Sequence, residues 1–262
     1  MTFFEAAFLG IVQGLTEFFP ISSSGHLVFF QSLFGMKEPH LFFDVMVHFG
    51  TLLAVVLYFR NDLQILLVQT GSALLKKRKG GPGTRLFALI AVATLPTGLM
   101  GVLLKDRIEP LFIQPKWAAG MLLITGAMLF LTRWFQNGKK GATEMRWVDA
   151  VLIGTAQGIA LLPGISRSGA TIAAGLFLGL NREWAGRFSF LLSIPAILGA
   201  TVLELREVNS FAEFQAASVA AGIAFLTGLL ALAFLMRVIR FGKLSLFSYY
   251  CWGIGGTTII LS

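Results

Sequence analysis

Long runs of apolar residues, separated by short polar segments, dominate the pattern along this chain. A helix needs about 20 mostly apolar residues to cross a bilayer, and six of the runs reach that length. They predict an all-α integral membrane protein with six transmembrane helices. These runs cover residues 41–59, 86–104, 117–135, 185–203, 216–236 and 245–261.

Two further apolar stretches, residues 3–34 and 147–180, are interrupted near the middle by proline, serine and glycine. Each half is too short to cross a bilayer, so we expect two re-entrant helical hairpins. Irregular backbone at membrane depth is tolerated only where it is buried in protein or lines a wet cavity. The two interruptions therefore mark the place where a site would lie.

The two interruptions resemble each other, which indicates an internal duplication. Identities recur at one constant offset, whereas the prolines match only with a slip of one residue. The matching pairs include Gln13 and Gln157, Ser22 and Ser166, and Gly25 and Gly169. We therefore expect a single membrane domain over residues 1–262, with one repeat at about 1–135 and a second at about 147–262.

Basic residues collect in alternate loops, and this pattern predicts the orientation. Fewer basic residues, accompanied by acidic ones, occur in loops 105–116 and 204–215. The positive-inside rule places the basic loops in the cytoplasm, both termini outside, and residues 62–75 along the cytoplasmic surface. Most of the 21 Lys and Arg lie in residues 60–85, 133–146, 182–187 and 237–243.

The number of spans also predicts how the repeats are related. Three spans follow each hairpin, and because three is odd, the second repeat is inverted relative to the first. One hairpin then enters from outside and the other from inside, so that their tips meet near the midplane. Inverted repeats with broken helices that meet at a central site are a known transporter architecture, so an enzyme and a carrier both stay open.

Composition agrees with a membrane protein and narrows the function classes. Of the 262 residues, 56% are hydrophobic and only 13% are charged, against roughly 25% charged residues in soluble domains. The net charge of +8 does not indicate a nucleic-acid partner, because the basic residues lie in short loops and not in a groove interleaved with aromatics. Cys251 is the single cysteine, which excludes an intramolecular disulfide.

Polar and charged residues cluster at the two interruptions, and such residues are costly in hydrocarbon unless they serve a function. Glycine-rich turns that lead into helix N-termini direct amide N–H groups at an anion, and a guanidinium fits phosphate oxygens. This inventory indicates a phosphate site. Its members are Glu17, Ser22, Ser23, Ser24 and His26 in the first interruption, and Ser166, Arg167, Ser168 and Thr171 in the second.

Each of these residues also has a structural interpretation. Serine, glycine and proline are turn formers, Glu17 could pair with a lysine, Arg167 could extend to the interface, and His26 could cap a hairpin. All of these placements would have to coincide, so we favour function.

Two residue pairs outside the interruptions are also candidates. Asp44 and His48 lie four residues apart on one helix face, where they either support the site or bind an ion, or simply hold helices together. Gly175 and Gly179 form a GxxxG pattern that predicts close helix packing.

The segments QGLTEFFPISSSGHL at 13–27 and PGISRSGAT at 163–171 closely resemble the bacterial undecaprenyl-diphosphate phosphatase family, also called bacitracin-resistance proteins. The likeness extends over nearly the whole chain in length, hydropathy and motif spacing. It implies removal of the terminal phosphate from undecaprenyl diphosphate, a polyprenyl diphosphate lipid, to give the carrier lipid for peptidoglycan synthesis. It also implies the bacterial cytoplasmic (inner) membrane, an active site open to the periplasm, and a divalent cation, Mg²⁺ or Ca²⁺.

One departure from the family pattern concerns Gln13, where many members carry a second acid. This leaves Glu17 as the main acid and the one residue expected to contact the cation, and it weakens any mechanism based on two carboxylates. Gln13 is instead expected to support the site. The family's functional residues correspond here to Glu17, Ser23, His26, Ser166, Arg167 and Thr171.

The resemblance suggests a division of roles. Arg167 is expected to bind the diphosphate and stabilise its charge, while His26 attacks phosphorus or activates Ser23 or water, and Glu17 orients or deprotonates His26. Serine, histidine and water all remain open as the nucleophile. The hydroxyls expected to help bind phosphate are those of Ser22, Ser24, Ser166, Ser168 and Thr171.

A different class, a lipid-phosphate flippase or an anion transporter, would use the same motifs to bind without cleaving. Glu17 beside His26 argues against it, because a carboxylate repels a phosphate unless a proton or a metal intervenes. The sequence leaves open whether the chain forms a homodimer.

Overall fold

The computed structural model describes residues 1–36, 41–76, 80–112, 114–204 and 211–261. Within these residues the regular secondary structure is helical and no β-strand is present, which confirms the predicted all-α class. The α-helices are α1 (Phe3–Phe18), α2 (Ser23–Leu33), α3 (Leu41–Tyr58), α4 (Arg60–Lys76), α5 (Pro82–Ile108), α6 (Pro115–Leu131), α7 (Trp147–Ile159), α8 (Arg167–Phe177), α9 (Arg182–Glu204), α10 (Phe211–Arg240) and α11 (Phe247–Leu261).

Three described helices are long and apolar enough to cross a membrane: α5, α6 together with the 3₁₀ turn that follows it, and α10. Helices α3 and α4 meet at an angle of 76° and would give a fourth span if the bent pair is one span. The protein is therefore a multi-pass membrane protein. The other two predicted spans fall on α9 and α11, which are not among the described helices that are long and apolar enough to cross a membrane. Charges at 77–79 and 205–210, which entered the predicted orientation, lie outside the described residues.

Both interrupted segments are pairs of helices separated by a short break. In the first pair α2 folds back beside α1, because the ring of Phe8 lies 5.0 Å from that of Phe30 and 5.6 Å from that of Phe34. In the second pair the end of α8 returns towards the start of α7. There the Lys140 amide donates to the Gly179 carbonyl at 3.1 Å, and the Lys140 ammonium lies 3.5 Å from Asp149.

The duplication is visible in the helix bounds. Helix α7 begins at the position that corresponds to the start of α1, at the offset that relates the matched residues. Helix α8 begins and ends at the positions that correspond to the two ends of α2. Ser22 and Ser166 each occupy the position just before the second helix of the pair. Only the breaks differ, since α7 ends earlier and leaves a longer one.

Glycines pack each hairpin against a helix of the other half of the chain. A Cβ on Gly10 would lie 2.5 Å from the Ala220 carbonyl oxygen of α10. In the other hairpin, a Cβ on Gly154 would lie 2.0 Å from the Ala93 carbonyl oxygen of α5. Gly14 also approaches the backbone of α10, whereas its repeat counterpart Gly158 approaches α5 at the Met100 side chain. The two halves thus exchange their first helices.

The predicted packing role of the Gly175–Gly179 pattern is only half right. Gly175 does approach α9, where its Cβ would meet Ala185 at 3.2 Å. Gly179 instead lies two residues beyond the end of α8 and has a φ of +84°, a left-handed conformation that glycine adopts at little cost. Closer approaches to backbone are made by glycines of α1 and α7, and by Gly50 of α3, whose Cβ would lie 2.2 Å from the Ala221 carbonyl oxygen of α10.

Helix α9 lies in the centre of the main core cluster. Phe188 and Phe190 on this helix are fully buried, and the ring of Phe190 contacts Phe18 at 5.7 Å and Phe59 at 6.2 Å. At its N-terminal end the Arg187 guanidinium forms an ion pair with Asp62 of α4. Because Phe18 ends α1, the core also fixes the position of the first hairpin tip.

Candidate active site

The tips of the two hairpins lie against each other. The Arg167 guanidinium at the start of α8 forms an ion pair with Glu17 near the end of α1. The Ser168 hydroxyl donates to the Phe18 carbonyl at 3.0 Å, and a Cβ on Gly169 would lie 3.1 Å from Pro20. The convergence expected from the sequence is therefore present, and it brings one carboxylate and one guanidinium together.

Glu17 is the residue on which the site's contacts converge. Its side chain is 6% exposed, and Arg167 binds Oε1. The other oxygen, Oε2, accepts hydrogen bonds from the Ser23 hydroxyl at 2.6 Å and from the Gln13 amide at 3.0 Å. The Nε2 atom of His48 lies 3.5 Å from the same oxygen. A buried carboxylate is costly unless it is paired and hydrogen-bonded, and these groups meet that need.

His26 does not contact Glu17, so the sequence-based expectation that Glu17 orients it is wrong for this structure. The Nδ1 atom of His26 lies 2.8 Å from the Ser22 carbonyl oxygen, and Nε2 lies 2.7 Å from the Tyr250 hydroxyl. A carbonyl can only accept, so Nδ1 carries the proton. In neutral His26 the Nε2 atom therefore carries a lone pair, which accepts a hydrogen bond from the Tyr250 hydroxyl.

The pair on α3 supports the first hairpin. The Nδ1 atom of His48 lies 2.7 Å from the Asp44 carbonyl oxygen, which leaves Nε2 directed at Glu17. The Asp44 carboxylate accepts a hydrogen bond from the Gln31 amide of α2 at 2.6 Å. Both residues therefore touch the hairpin, and His48 touches the carboxylate at its tip.

The N-terminus of α2 is open. Ser22, just before the helix, has a φ of +66°, a left-handed conformation that is uncommon for serine, and no side chain caps the helix. The Ser22 and Ser24 hydroxyls lie 3.3 Å apart, and Ser23 to His26 are only partly buried. The N–H groups of a first helical turn have no partner within the helix, so this turn offers several donors to an anion.

The N-terminus of α8 is closed, which changes how the predicted phosphate ligands there are used. The Ser166 hydroxyl accepts from the Gly169 amide at 3.2 Å and lies 3.2 Å from the Ser168 hydroxyl. Thr171 bonds the Arg167 carbonyl at 2.9 Å and the Ser189 hydroxyl at 2.5 Å. All three predicted ligands are buried and bonded to protein groups, so in this structure they position Arg167.

Arg167 itself retains an unused donor. Its side chain is 17% exposed, and while Nη2 binds Glu17, the buried Nη1 atom has no hydrogen-bond partner among the described residues. An unpaired buried donor costs about 1–3 kcal/mol, so such a group is retained where a ligand completes it. Nη1 is therefore set to donate to an oxygen that enters between the tips.

The side chains at the tips offer fewer donors than a divalent cation requires. Mg²⁺ and Ca²⁺ need six or more oxygen ligands, yet the described residues contain no group of three or more His, Cys, Asp or Glu that could hold a metal. Glu17 is the carboxylate at the tips, and both of its oxygens are already occupied. These side chains do not form a resident cation site of their own.

Some residues at the site were not predicted from the sequence. Tyr250 on α11 contacts His26, Ser189 on α9 contacts Thr171, and the Thr125 hydroxyl on α6 accepts from the Ser166 amide at 3.2 Å. Each of them contributes a hydroxyl from a helix other than that of its partner. No local pattern distinguishes such a residue.

Comparison with known proteins gives similarity over nearly the whole chain. The family model described as Bacitracin resistance protein BacA matches residues 6–257. The chain is 46% identical to an undecaprenyl-diphosphatase of Carboxydothermus hydrogenoformans, covering 100% of this chain and 98% of that relative. It is also similar to the undecaprenyl-diphosphatases of Desulfosudis oleivorans (46% identical, 97% of each chain) and Methanobrevibacter smithii (41% identical, 97% of this chain and 96% of the relative).

Proposed function

Because this chain belongs to the bacitracin resistance protein family, we propose that it hydrolyses undecaprenyl diphosphate to undecaprenyl phosphate and inorganic phosphate. This activity recycles the carrier lipid for peptidoglycan synthesis and confers resistance to bacitracin. The observation that carries the proposal is the unused Nη1 donor of Arg167, held between the hairpin tips beside a carboxylate. A terminal phosphate group supplies the oxygen acceptors that this guanidinium lacks.

The terminal phosphate binds between the open end of α2 and Arg167. The first-turn amides of α2 and the hydroxyls of Ser22 and Ser24 bind its oxygens, and Arg167 stabilises the charge that grows on them. Glu17 alone would repel the phosphate. The Arg167 guanidinium at Oε1 offsets that charge.

Ser23 is the nucleophile that the geometry favours. Its hydroxyl donates to Glu17 at 2.6 Å, the arrangement of a nucleophile and its general base. Glu17 takes the proton as the Ser23 oxygen bonds to the terminal phosphorus, and undecaprenyl phosphate leaves. His26 lies three residues further on the same face of α2, and its Nε2 lone pair takes a proton from the water that attacks phosphorus. The Ser23–phosphorus bond then breaks, Glu17 returns its proton to the Ser23 oxygen, and inorganic phosphate leaves.

Release of phosphate from undecaprenyl diphosphate by purified protein in detergent tests the activity. Arg167→Ala should lower turnover about 10²- to 10³-fold, as the loss of one charge-stabilising donor does elsewhere. Ser32→Ala, an exposed serine later in α2, is the matched control and should retain activity. Binding of the lipid without phosphate release would favour the flippase or transporter class instead.

Trapping the intermediate tests the nucleophile. With ³²P-labelled substrate, His26→Ala should accumulate phosphoserine at position 23, because the second step loses its base. Ser23→Ala should give no labelled protein. Label on His26 in the unaltered protein, or none on Ser23 in His26→Ala, would contradict the assignment.

The proposed arrangement has six spans, formed by α3, α5, α6, α9, α10 and α11, with the two hairpins re-entrant from opposite sides. The basic loops face the cytoplasm of a bacterial inner membrane, and the site opens to the periplasm. The exchange of α1 and α7 between the halves supports this inverted relation, since each hairpin contacts the equivalent helix of the other half.

Labelling with a membrane-impermeant maleimide tests the orientation. Cysteines at the exposed positions Asp106 and Lys139, each introduced into a Cys251→Ala background, lie on opposite sides in the proposed topology. Asp106→Cys should react in intact cells, and Lys139→Cys only after lysis. The reverse labelling pattern would show that the protein has the opposite orientation in the membrane.

Dependence on Mg²⁺ or Ca²⁺ is proposed as a property of the enzyme with its substrate, since the tip side chains alone do not form a cation site. Mg²⁺ is commonly held by one or two carboxylates together with substrate phosphates. Titration calorimetry of the lipid-free protein should show no tight divalent cation binding. Phosphate release should fall after treatment with EDTA.

A further inference from the structure

Tyr250 lies near the other end of the chain from the catalytic hairpin, yet it contacts the hairpin directly. Its hydroxyl is 2.7 Å from Nε2 of His26, and the two rings are nearly parallel, with an interplanar angle of 13° and centroids 5.8 Å apart. Because Nε2 is the lone-pair atom of neutral His26, the Tyr250 hydroxyl is the donor. This contact is between α11 and α2.

The neighbours of Tyr250 hold it in place. Cys251, the next residue, is fully buried and its thiol lies 3.5 Å from the Pro20 carbonyl oxygen at the first tip. One residue further, the Trp252 indole donates to the Leu123 carbonyl of α6 at 3.2 Å. Helix α11 is thus fixed to both the tip and α6, so the Tyr250 hydroxyl is presented to His26 from a fixed position.

We propose that Tyr250 is a positioning residue for His26. Together with the Ser22 carbonyl, it holds the imidazole at both nitrogens, which fixes the ring plane and the tautomer whose Nε2 is the acceptor. The attacking water then takes the place of the Tyr250 hydroxyl at the Nε2 lone pair. The inference rests on the proposed function, in which His26 acts in the second step. Tyr250 acts through His26 and does not itself touch the phosphate.

Removal of the single hydroxyl is the kinetic test. Tyr250→Phe keeps the ring but removes the donor, and it should lower kcat by about 3- to 10-fold, the effect of one hydrogen bond on a rate. Because only the second step slows, kcat/KM should be unchanged. Tyr249→Phe is the control: Tyr249 is 60% exposed and its ring lies against Phe130 and Trp252. This control should retain both values.

A double-mutant comparison separates positioning from general damage. In a His26→Ala background, Tyr250→Phe should cause no further loss, because the residue it acts through is gone. A second loss of the same size would overturn the proposal. So would an equal fall of kcat and kcat/KM in the single variant, or no change at all.

NMR of the protein without substrate tests the contact between Tyr250 and His26 independently of the proposed enzymatic activity. The chain has 3 histidines, so ¹⁵N-histidine labelling gives an assignable spectrum. Tyr250→Phe should shift the Nε2 resonance of His26, and Tyr249→Phe should not. An unshifted resonance overturns the contact itself. A shifted resonance in a protein that releases no phosphate would leave the contact standing and overturn the proposed function.

Discussion

At the scale of single residues, the site is organised around a buried carboxylate. Glu17 has contacts from Arg167, Ser23, Gln13 and His48, which come from three different helices and the second hairpin tip. The Arg167 guanidinium offsets its charge, and these contacts give its two oxygens different partners. One oxygen holds the guanidinium, and the other holds the serine hydroxyl.

Replacement of this carboxylate by an amide is the first residue-scale prediction. Glu17→Gln keeps the shape but removes both the ion pair and the proton acceptor of Ser23. Phosphate release should fall by about 10²- to 10⁴-fold, the contribution of a general base. Glu5→Gln, at a partly exposed glutamate in the first turn of the same helix, serves as the control. A variant with more than a tenth of normal turnover would exclude Glu17 as the base.

The second prediction concerns the geometry of the positively charged side chain at position 167. A lysine carries the same charge but cannot donate to Glu17 and to a phosphate oxygen with the planar fork of a guanidinium. Arg167→Lys should therefore lose about 10²-fold in kcat, close to the alanine variant. Steady-state kinetics of the two variants measure the difference. A lysine variant near wild-type kcat would show that charge alone suffices.

The sequence predicts site residues that lie close together within a motif, but it does not predict their contacts with residues distant along the chain. Glu17, Ser23, His26 and Arg167 stand in two dense motifs, so they were predicted as site residues. The partners were not: His48 was placed on the right face of its helix, but its contact with Glu17 depends on how α3 packs. Tyr250 had no local pattern at all.

At the scale of elements, the close glycine contacts determine how the hairpins are held. Gly154 lies against backbone of α5, which cannot move aside as a flexible side chain would. The helix bounds themselves follow closely from the apolar runs and the Pro/Ser/Gly breaks. The helix that packs against each glycine does not follow from the sequence. A small residue predicts that some helix approaches closely, but it does not identify which one.

An added methyl group at this contact is the element-scale prediction. Gly154→Ala places a Cβ 2.0 Å from the Ala93 carbonyl oxygen, so α7 must move away from α5. We expect a loss of about 1–3 kcal/mol, the usual cost of overpacking. Gly98→Ala, a helical position on α5 with open space around its Cβ, should be neutral or slightly stabilising. Thermal unfolding in detergent compares the two, and equal midpoints would contradict the packing.

At the scale of the whole molecule, neither half is complete. Helix α1 packs on α10 and α7 on α5, so each half lends its first helix to the other. Arg167 and Glu17 likewise come from different halves. Stability and activity should therefore both depend on the presence of the two halves.

Separate expression of the halves tests this dependence. A cut between Gln136 and Asn137 leaves the loop that bonds α8 and Asp149 attached to the second half. Residues 1–136 and 137–262 should be inactive alone and should recover phosphate release when expressed together. Activity in either fragment by itself would show that one half holds a whole site.

The reciprocal exchange of α1 and α7 has a consequence for ancestry. Two copies of a half-length chain, related by a two-fold axis, could make the same exchange as a dimer, and a later gene fusion would yield the present protein. Such an ancestor would carry identical tips. Here Ser23 stands where its counterpart is Arg167, and Glu17 where its counterpart is Leu161. After fusion, one descendant tip would have specialised in proton chemistry and the other in holding the anion.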